Sequence, residues 1–538
     1  MRKLVLAAAA ALFASQAVAQ APPPPKLLVV ISVDQFSANL FDEYRPQFTG
    51  GLARLASGIV YRNAYQSHGM TETCPGHSTI LTGDHPARTG IISNVWHNFN
   101  APREDKTVYC AEDESAPGTS LLHYKVSPLH LRVPTLGELM KRKWPTSLNI
   151  AVSGKDRSAV MMSGHLADQR WYWTGRKFES DLDTAVPPVV FRTNATVAAA
   201  IGAPVAPLEA PPFCAAKARS IPLEGGGKPV GDGTFARIGG DANAFHASPQ
   251  LDAAVLALSA GLIQDMRLGA HAAPDIISIG LAATDYVGHT YGSGGQEMCL
   301  QLLELDRDLG DFLAVLDRSG IDYSVMLTAD HGGLDIPERL RLQGVTDAAR
   351  LDPALNPKAV GEAVTKGTGI AGPIFANTGL NGDLYLDSHL RGSDRQRSLE
   401  AALAIYRAHP QVAAAFSKAE LASTPMPSAD PAGWSLIQRV RASFDPDRSG
   451  DIFLVLKPHV MPVVDTTKYI ATHGSPWDYD RRVPILFWRP GLNAHAIEQA
   501  VDTVDIMPTL AALIGLEITP GSIDGHCLSA AAACPANR

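Results

Sequence analysis

LLVVISVD, residues 27–34, is an apolar run interrupted only by Ser32 and closed by an aspartate. A short, continuously apolar run rich in Val and Ile suits a strand buried on both faces, the condition of a parallel sheet covered by helices. Two further runs repeat the form. DIISIGLAATD, residues 275–285, closes at Asp285 with His289 four residues on, and YSVMLTADH, residues 323–331, closes at Asp330 with His331 adjacent. Buried strands are predicted at about 26–34, 147–153, 275–282, 322–329 and 483–488. Helical patterns lie between or after them in LDAAVLALSAGLIQDMRLG, CLQLLELDRDLGDFLAVLDRSG and VDTVDIMPTLAALIG. This alternation predicts an α/β fold with a mainly parallel central sheet and helices on both faces.

In such sheets ligands bind outside the carboxyl ends of the strands, where Asp34, Asp285 and Asp330 fall. One aspartate after a strand is ordinarily a helix N-cap. Three of them, with His289 and His331 at ligand spacing, point instead to a binuclear metal site and a metallohydrolase. The D-x-x-x-H spacing puts both groups on one face of a helical turn, whereas adjacent Asp330 and His331 converge only if the backbone turns there. His473, in the loop ATHGSPWDYDRRVPILFW, is a further ligand candidate, while His68 and His77 are read as structural.

The segment ETCPGHSTILTG, residues 72–83, offers a nucleophile. Pro75 and Gly76 are expected to force a sharp turn that presents the Thr73 hydroxyl at the start of the helical run STILTG, where an anion is also favoured. Lys155 and Arg157, in SGKDR after a predicted strand, are alternate residues expected to point the same way, and an arginine fork suits phosphate oxygens. The segment Asp445 to Asp451, DPDRSGD, opens like a calcium loop but lacks its terminal bidentate glutamate and carries Pro446. An ordinary turn is expected there, with a structural Ca2+ as the alternative.

Composition sets the compartment. Residues 1–19 read as a cleavable export signal: Arg2 and Lys3, an apolar stretch, then Ala17-Val18-Ala19. The apolar stretch is short for a membrane span and no cysteine precedes Cys74, so no membrane anchor is expected and the mature chain is expected to be secreted or periplasmic. The net charge of −8 argues against a nucleic-acid surface, and no obligate protein partner is evident. Six cysteines in an exported chain suggest disulfides; their connectivity is open, with Cys527–Cys534 the most local option and a buried unpaired Cys74 an alternative. Residues 20–538 are expected to form one catalytic domain, with insertions at about 95–250 and 336–460 capping the active-site edge.

In order, the VSVD strand end, Thr73-x-Pro75-Gly76-His77, Asn94-x-Trp96, Gly154 to Arg157, Asp285-x-x-x-His289, Ala329 to Gly333 and Thr472-His473-Gly474 resemble the alkaline phosphatase superfamily. Within it the chain resembles the bacterial periplasmic alkaline phosphatases that use a threonine nucleophile, and the six-cysteine layout fits that group. The resemblance implies two zinc ions, one held by Asp285, His289 and His473 and the other by Asp34, Asp330, His331 and the oxygen of Thr73. It further implies that Asn94, Lys155 and Arg157 hold the phosphate's non-bridging oxygens. The implied activity is hydrolysis of small-molecule phosphate monoesters through a phosphothreonine intermediate, with the metals about 4 Å apart. A sulfatase is disfavoured because Cys74 is followed directly by Pro75 with no arginine at the required place. A nucleotide pyrophosphatase/phosphodiesterase, which shares the T-x-P segment and the ligands, is the stronger rival, disfavoured by Lys155 and Arg157. A metal-stabilised binding protein would need the Asp/His set but no nucleophile.

Overall fold

All seven residues of β1 (Leu27–Val33) are buried, and the strand lies inside a ten-stranded sheet. The computed structural model describes residues 23–376, 382–428, 430–492 and 494–534, so the expected export signal lies outside the described residues. The other elements that frame the site are, in chain order, β2 (Ile59–Tyr65), α1 (Thr73–Thr82), β3 (Asn149–Ser153), α2 (Asp156–Ser163) and β4 (Gln169–Trp173). They continue with α3 (Pro249–Asp265), β5 (Asp275–Leu281), α4 (Ala283–Tyr291), α5 (Gln296–Ser319), β6 (Tyr323–Thr328), β7 (Arg482–Trp488) and α6 (Ile506–Leu513).

Across the sheet the order is His495–Ile497, β2, β7, β6, β1, β5, β3, β4 and Phe178–Glu179, with Val501–Asp502 also pairing to β2. Strands β6, β1, β5, β3 and β4 run parallel, with Leu27 opposite both Asp275 and Tyr323. The expected strand near 483–488 is present as β7 but runs antiparallel to β6 and to β2. The segment 501–515 is only partly the expected helix. It opens as the short strand Val501–Asp502 and a 3-10 turn whose N–H at Val504 is capped by Asp502, and the α-helix starts at Ile506.

The alternation of β1 side chains feeds two cores, which is why its sequence shows no polar face. Val29, Ile31 and Val33 pack with residues of α3 and α5. Leu28 and Val30 pack on the other face with Ile80 of α1, Met162 of α2 and Leu510 of α6.

The stretch 95–250 contributes β3 and β4 to this sheet. The stretch 336–460 holds a separate three-stranded antiparallel sheet, Asp383–Leu384, Ile452–Leu456 and Val412–Ser417, with a core of its own that includes Val360, Leu384, Leu403 and Ile452. In the calcium-like segment Asp445 accepts the N–H groups of Asp447 and Arg448 and pairs with Arg132, while Asp451 pairs with Arg395 at 2.6 Å. Arg132 and Arg395 thus already pair with two of the carboxylates that a cation would need, which suits the ordinary turn expected there. The six cysteines form Cys74–Cys110, Cys214–Cys299 and Cys527–Cys534, which replaces the unpaired alternative for Cys74.

Candidate metal centre

Three neighbouring strands, β5, β1 and β6, deliver the three aspartates to one edge. Asp34 follows β1 directly, and its N–H extends the ladder to the Leu281 carbonyl at 2.9 Å. The chain then turns abruptly at Gln35, which has a left-handed φ of 65° and donates its N–H to Asp330 Oδ1 at 3.2 Å. Such a conformation is uncommon for a residue with a Cβ and is found where the surroundings fix it. A Cβ at Gly288 would fall 1.7 Å from Gln35 Oε1, so the Gln35 side chain fills the space that Gly288 leaves open in α4.

His289 and His331 lie against these carboxylates from their positions near Asp285 and Asp330 in sequence, and His473 reaches in from its loop. His289 Nε2 and His473 Nε2 each lie 3.3 Å from Asp285 Oδ1. His331 Nε2 lies 3.4 Å from Asp34 Oδ1 and 3.3 Å from Asp330 Oδ2. The ligating atoms of Asp34, Asp330 and His331 form one compact group, and those of Asp285, His331 and His473 a second. His331 thus sits between the two groups, stacked on His473 with ring centroids 3.6 Å apart, while His289 shares Asp285 Oδ1 with His473.

The donor chemistry fits divalent metals. The Nδ1 atoms of His289, His331 and His473 face the carbonyls of Ala471, Gly332 and Thr71 at 2.7, 2.8 and 2.9 Å. A carbonyl only accepts, so each Nδ1 carries a proton and each Nε2 is left facing a carboxylate oxygen, the orientation in which an imidazole ligates a metal. Asp34 Oδ1, Asp285 Oδ1, Asp330 Oδ2 and His331 Nε2 are buried without a hydrogen-bond partner. Burial and then the adjacent Asp330 push Asp34 well above the usual carboxylate range. Burial also opposes ionisation of Asp285, but His289 and Lys155 outweigh it and hold that carboxyl well below the range. Crowded buried carboxylates of this kind demand positive charge.

Thr73 opens α1, after extended Glu72, so the helix starts earlier than STILTG and places Pro75 and Gly76 inside its first turn. A Cβ at Gly76 would meet the Asp330 carbonyl at 2.0 Å, so only glycine lets α1 approach β6 this closely. The Thr73 hydroxyl lies 3.4 Å from Lys155 Nζ and 3.4 Å from Arg157 Nη2. Lys155 Nζ also bridges Asp34 Oδ2 at 2.6 Å and Asp285 Oδ2 at 2.5 Å. Burial lowers the proton affinity of that amine, but Asp285 and Asp34 more than reverse it, so Lys155 is held as a cation. Lys155 and Arg157 converge for a different reason from the one expected. Lys155 is the extended N-cap of α2 and Arg157 lies within its first turn, so a strand-to-helix corner brings them together rather than the pleat of one strand.

Asn94 joins the nucleophile through its carboxamide, whose Oδ1 accepts the Cys74 N–H at 2.8 Å. Three neighbours, Glu72, Tyr109 and Tyr124, were not singled out from the sequence. Glu72 Oε2 accepts the Asn94 N–H at 2.6 Å. Tyr109 and Tyr124 donate to the two oxygens of Asp156 at 2.8 Å each, and the Tyr109 hydroxyl accepts from Arg157 Nη1 at 3.4 Å. His77, read as structural, faces Asp330 Oδ2 at 3.1 Å, a contact that its place four residues after Thr73 makes possible. His68 is fully buried and neither ring nitrogen joins the cluster.

Residues 28–476 match the family model described as type I phosphodiesterase / nucleotide pyrophosphatase. The chain is 52% identical over 505 residues to alkaline phosphatase PhoK of Sphingomonas sp, covering 93% of this chain and 90% of that protein. It is 44% identical over 515 residues to alkaline phosphatase PhoD of Zymomonas mobilis, covering 94% and 89%. The crystal structure of wild-type alkaline phosphatase PafA superposes with a TM-score of 0.81 at 24% identity, covering 95% of this chain and 99% of that one.

Proposed function

This chain belongs to the type I phosphodiesterase / nucleotide pyrophosphatase family and is an alkaline phosphatase, and from that premise we propose that it releases phosphate from a broad range of monoesters through a phosphothreonine at Thr73. The observation that carries the reading is the Thr73 hydroxyl placed within reach of both Lys155 and Arg157 and beside two metal-candidate groups.

In this reading Asp285, His289 and His473 hold one zinc ion, and Asp34, Asp330 and His331, with the Thr73 oxygen, hold the other. Bound there, the pair supplies Lewis acidity that lowers the hydroxyl pKa and stabilises the leaving oxygen. Thr73 Oγ1, its proton passed to solvent, attacks phosphorus while the bond to the leaving oxygen breaks with its electron pair, and that oxygen takes a proton from water to leave as the alcohol. Arg157 offers two N–H donors to non-bridging oxygens, the Lys155 ammonium a second positive charge, and the Asn94 Nδ2 group a neutral donor. Water then attacks the phosphothreonine, freeing phosphate and restoring the hydroxyl.

The same reading takes residues 20–538 as one catalytic domain capped by insertions. The 95–250 stretch also supplies β3 and β4, so within it only the parts outside these strands and α2 are proposed to cap the site. Export to the periplasm or medium is supported by three disulfides. No described helix is long and apolar enough to cross a membrane. Small-molecule monoesters are the proposed partners, with no nucleic acid and no obligate protein partner.

Acid quenching during turnover of a labelled monoester is expected to leave phosphate covalently on Thr73, located by peptide mass mapping. Label on Thr71, or none under conditions of a kinetic burst, would sink the intermediate. Elemental analysis is expected to find two zinc ions per chain, and His289→Ala to bind about one fewer, because one donor of a shared set is lost. Unchanged stoichiometry in that variant would remove His289 from the ligand set. A diesterase remains the second reading, favoured by the description of the matching family, and Lys155 and Arg157 separate the two.

A further inference from the structure

We propose that Glu72 is a positioning residue that, with the Cys74–Cys110 disulfide, sets the Asn94 carboxamide against the phosphate. The inference rests on the reading of Asn94 as a phosphate contact and goes beyond it in assigning what holds that contact.

Asn94 follows a bend and precedes the short strand Val95–His97, so no regular element fixes it. It is instead tied at three points. Its N–H donates to Glu72 Oε2 at 2.6 Å, its carbonyl accepts the Cys110 N–H at 2.9 Å, and its Oδ1 accepts the Cys74 N–H at 2.8 Å. Two of these partners, Glu72 and Cys74, flank Thr73 in sequence, and the third, Cys110, is bonded covalently to Cys74. The nucleophile and Asn94 therefore share one frame, and a shift of either carries the other. A backbone N–H can only donate, so the atom facing Cys74 must be Oδ1, which leaves Nδ2 as the donor available to a ligand.

Glu72 performs a task separable from its charge. A carboxylate beside an anion site opposes the ligand, yet the bond to the Asn94 N–H needs only an acceptor, which a glutamine carbonyl also provides. The bond matters through orientation: a donor displaced by a fraction of an ångström loses much of its value to a transition state.

The test compares Glu72→Ala, Glu72→Gln, Asn94→Ala and the Glu72→Ala/Asn94→Ala pair in the zinc-loaded full chain. The readouts are monoester kcat/KM, inhibition by inorganic phosphate, metal content and melting midpoint. Glu72→Ala is expected to lower kcat/KM and weaken phosphate inhibition by about ten- to hundredfold, the range for one charged hydrogen bond. Glu72→Gln should recover most of that loss. With Asn94 already truncated, removing Glu72 should cost nothing further, since its effect runs through Asn94. Additive losses in the pair, an unimpaired Glu72→Ala, or a loss that follows zinc content or melting would each overturn the role. An active Asn94→Ala would remove the phosphate contact itself, and the positioning role with it, whereas an impaired Asn94→Ala with additive Glu72→Ala removes the positioning role alone.

Discussion

Thr73→Ala protein is expected to lose monoester turnover by several powers of ten while keeping its fold and the zinc held by Asp285, His289 and His473. The loss has the size seen when a nucleophile acting within a linked constellation is removed. The side chain is fully buried at the first position of α1, so alanine removes the hydroxyl with little change in packing. Thr73→Ser keeps the oxygen and gives up only a methyl group, so it should retain much of the activity. Rates, zinc content and thermal midpoint measured together decide the matter. Full activity in the alanine variant would end the assignment, and loss of both metals would show that Thr73 is needed to hold the whole site rather than to attack.

The second large effect concerns the choice between monoester and diester. A monoester carries one more anionic oxygen, and preference for it needs positive donors at that oxygen. Each charge-assisted bond contributes about 1.5–3 kcal/mol, so Lys155→Ala/Arg157→Ala should lower monoester kcat/KM by about two to four powers of ten, at about 1.4 kcal/mol per factor of ten. Diester hydrolysis should fall less, by the share that Lys155 carries through the metal groups. The two residues differ in how cleanly they report. Lys155 also bridges Asp34 and Asp285, so its loss acts on the metal groups and on both substrates. Arg157 contacts Thr73 and Tyr109 but no carboxylate of the metal groups, so Arg157→Ala alone should carry the selective part. Equal losses for the two substrate classes in the Arg157 variant would return the diesterase reading.

Much of this site was legible because its positions are local consequences of strand burial. Strands covered on both faces have no polar side, so the runs ending near Asp34, Asp285 and Asp330 stood out, and His289 and His331 followed from their spacing. What escaped notice had no periodic signature. IVYRNAY of β2 mixes Arg62 and Asn63 into a strand, and QRWYW of β4 begins with two polar residues that are nonetheless buried. The antiparallel course of β7 depends on where its neighbours lie, which no local pattern records. Glu72, Tyr109 and Tyr124 enter through long-range hydrogen bonds, and the pairing of Cys74 with Cys110 is a fact of tertiary proximity. The corner that unites Lys155 with Arg157 was anticipated in effect but not in cause, because the helix begins at Asp156, between the two, where strand alternation assumes extended chain.

The adjacency of β5, β1 and β6 makes the sheet a ruler for the chemistry. Hydrogen-bonded strands keep about 4.7–4.9 Å between neighbours whatever their side chains, so the separation of the aspartate-bearing chain ends is set by peptide geometry. Asp34 even remains on the ladder through its own N–H. Drift in the outlying loops can therefore reshape which esters are admitted while the reaction gauge stays fixed, and a change to that gauge would require breaking the backbone register at the centre of the molecule.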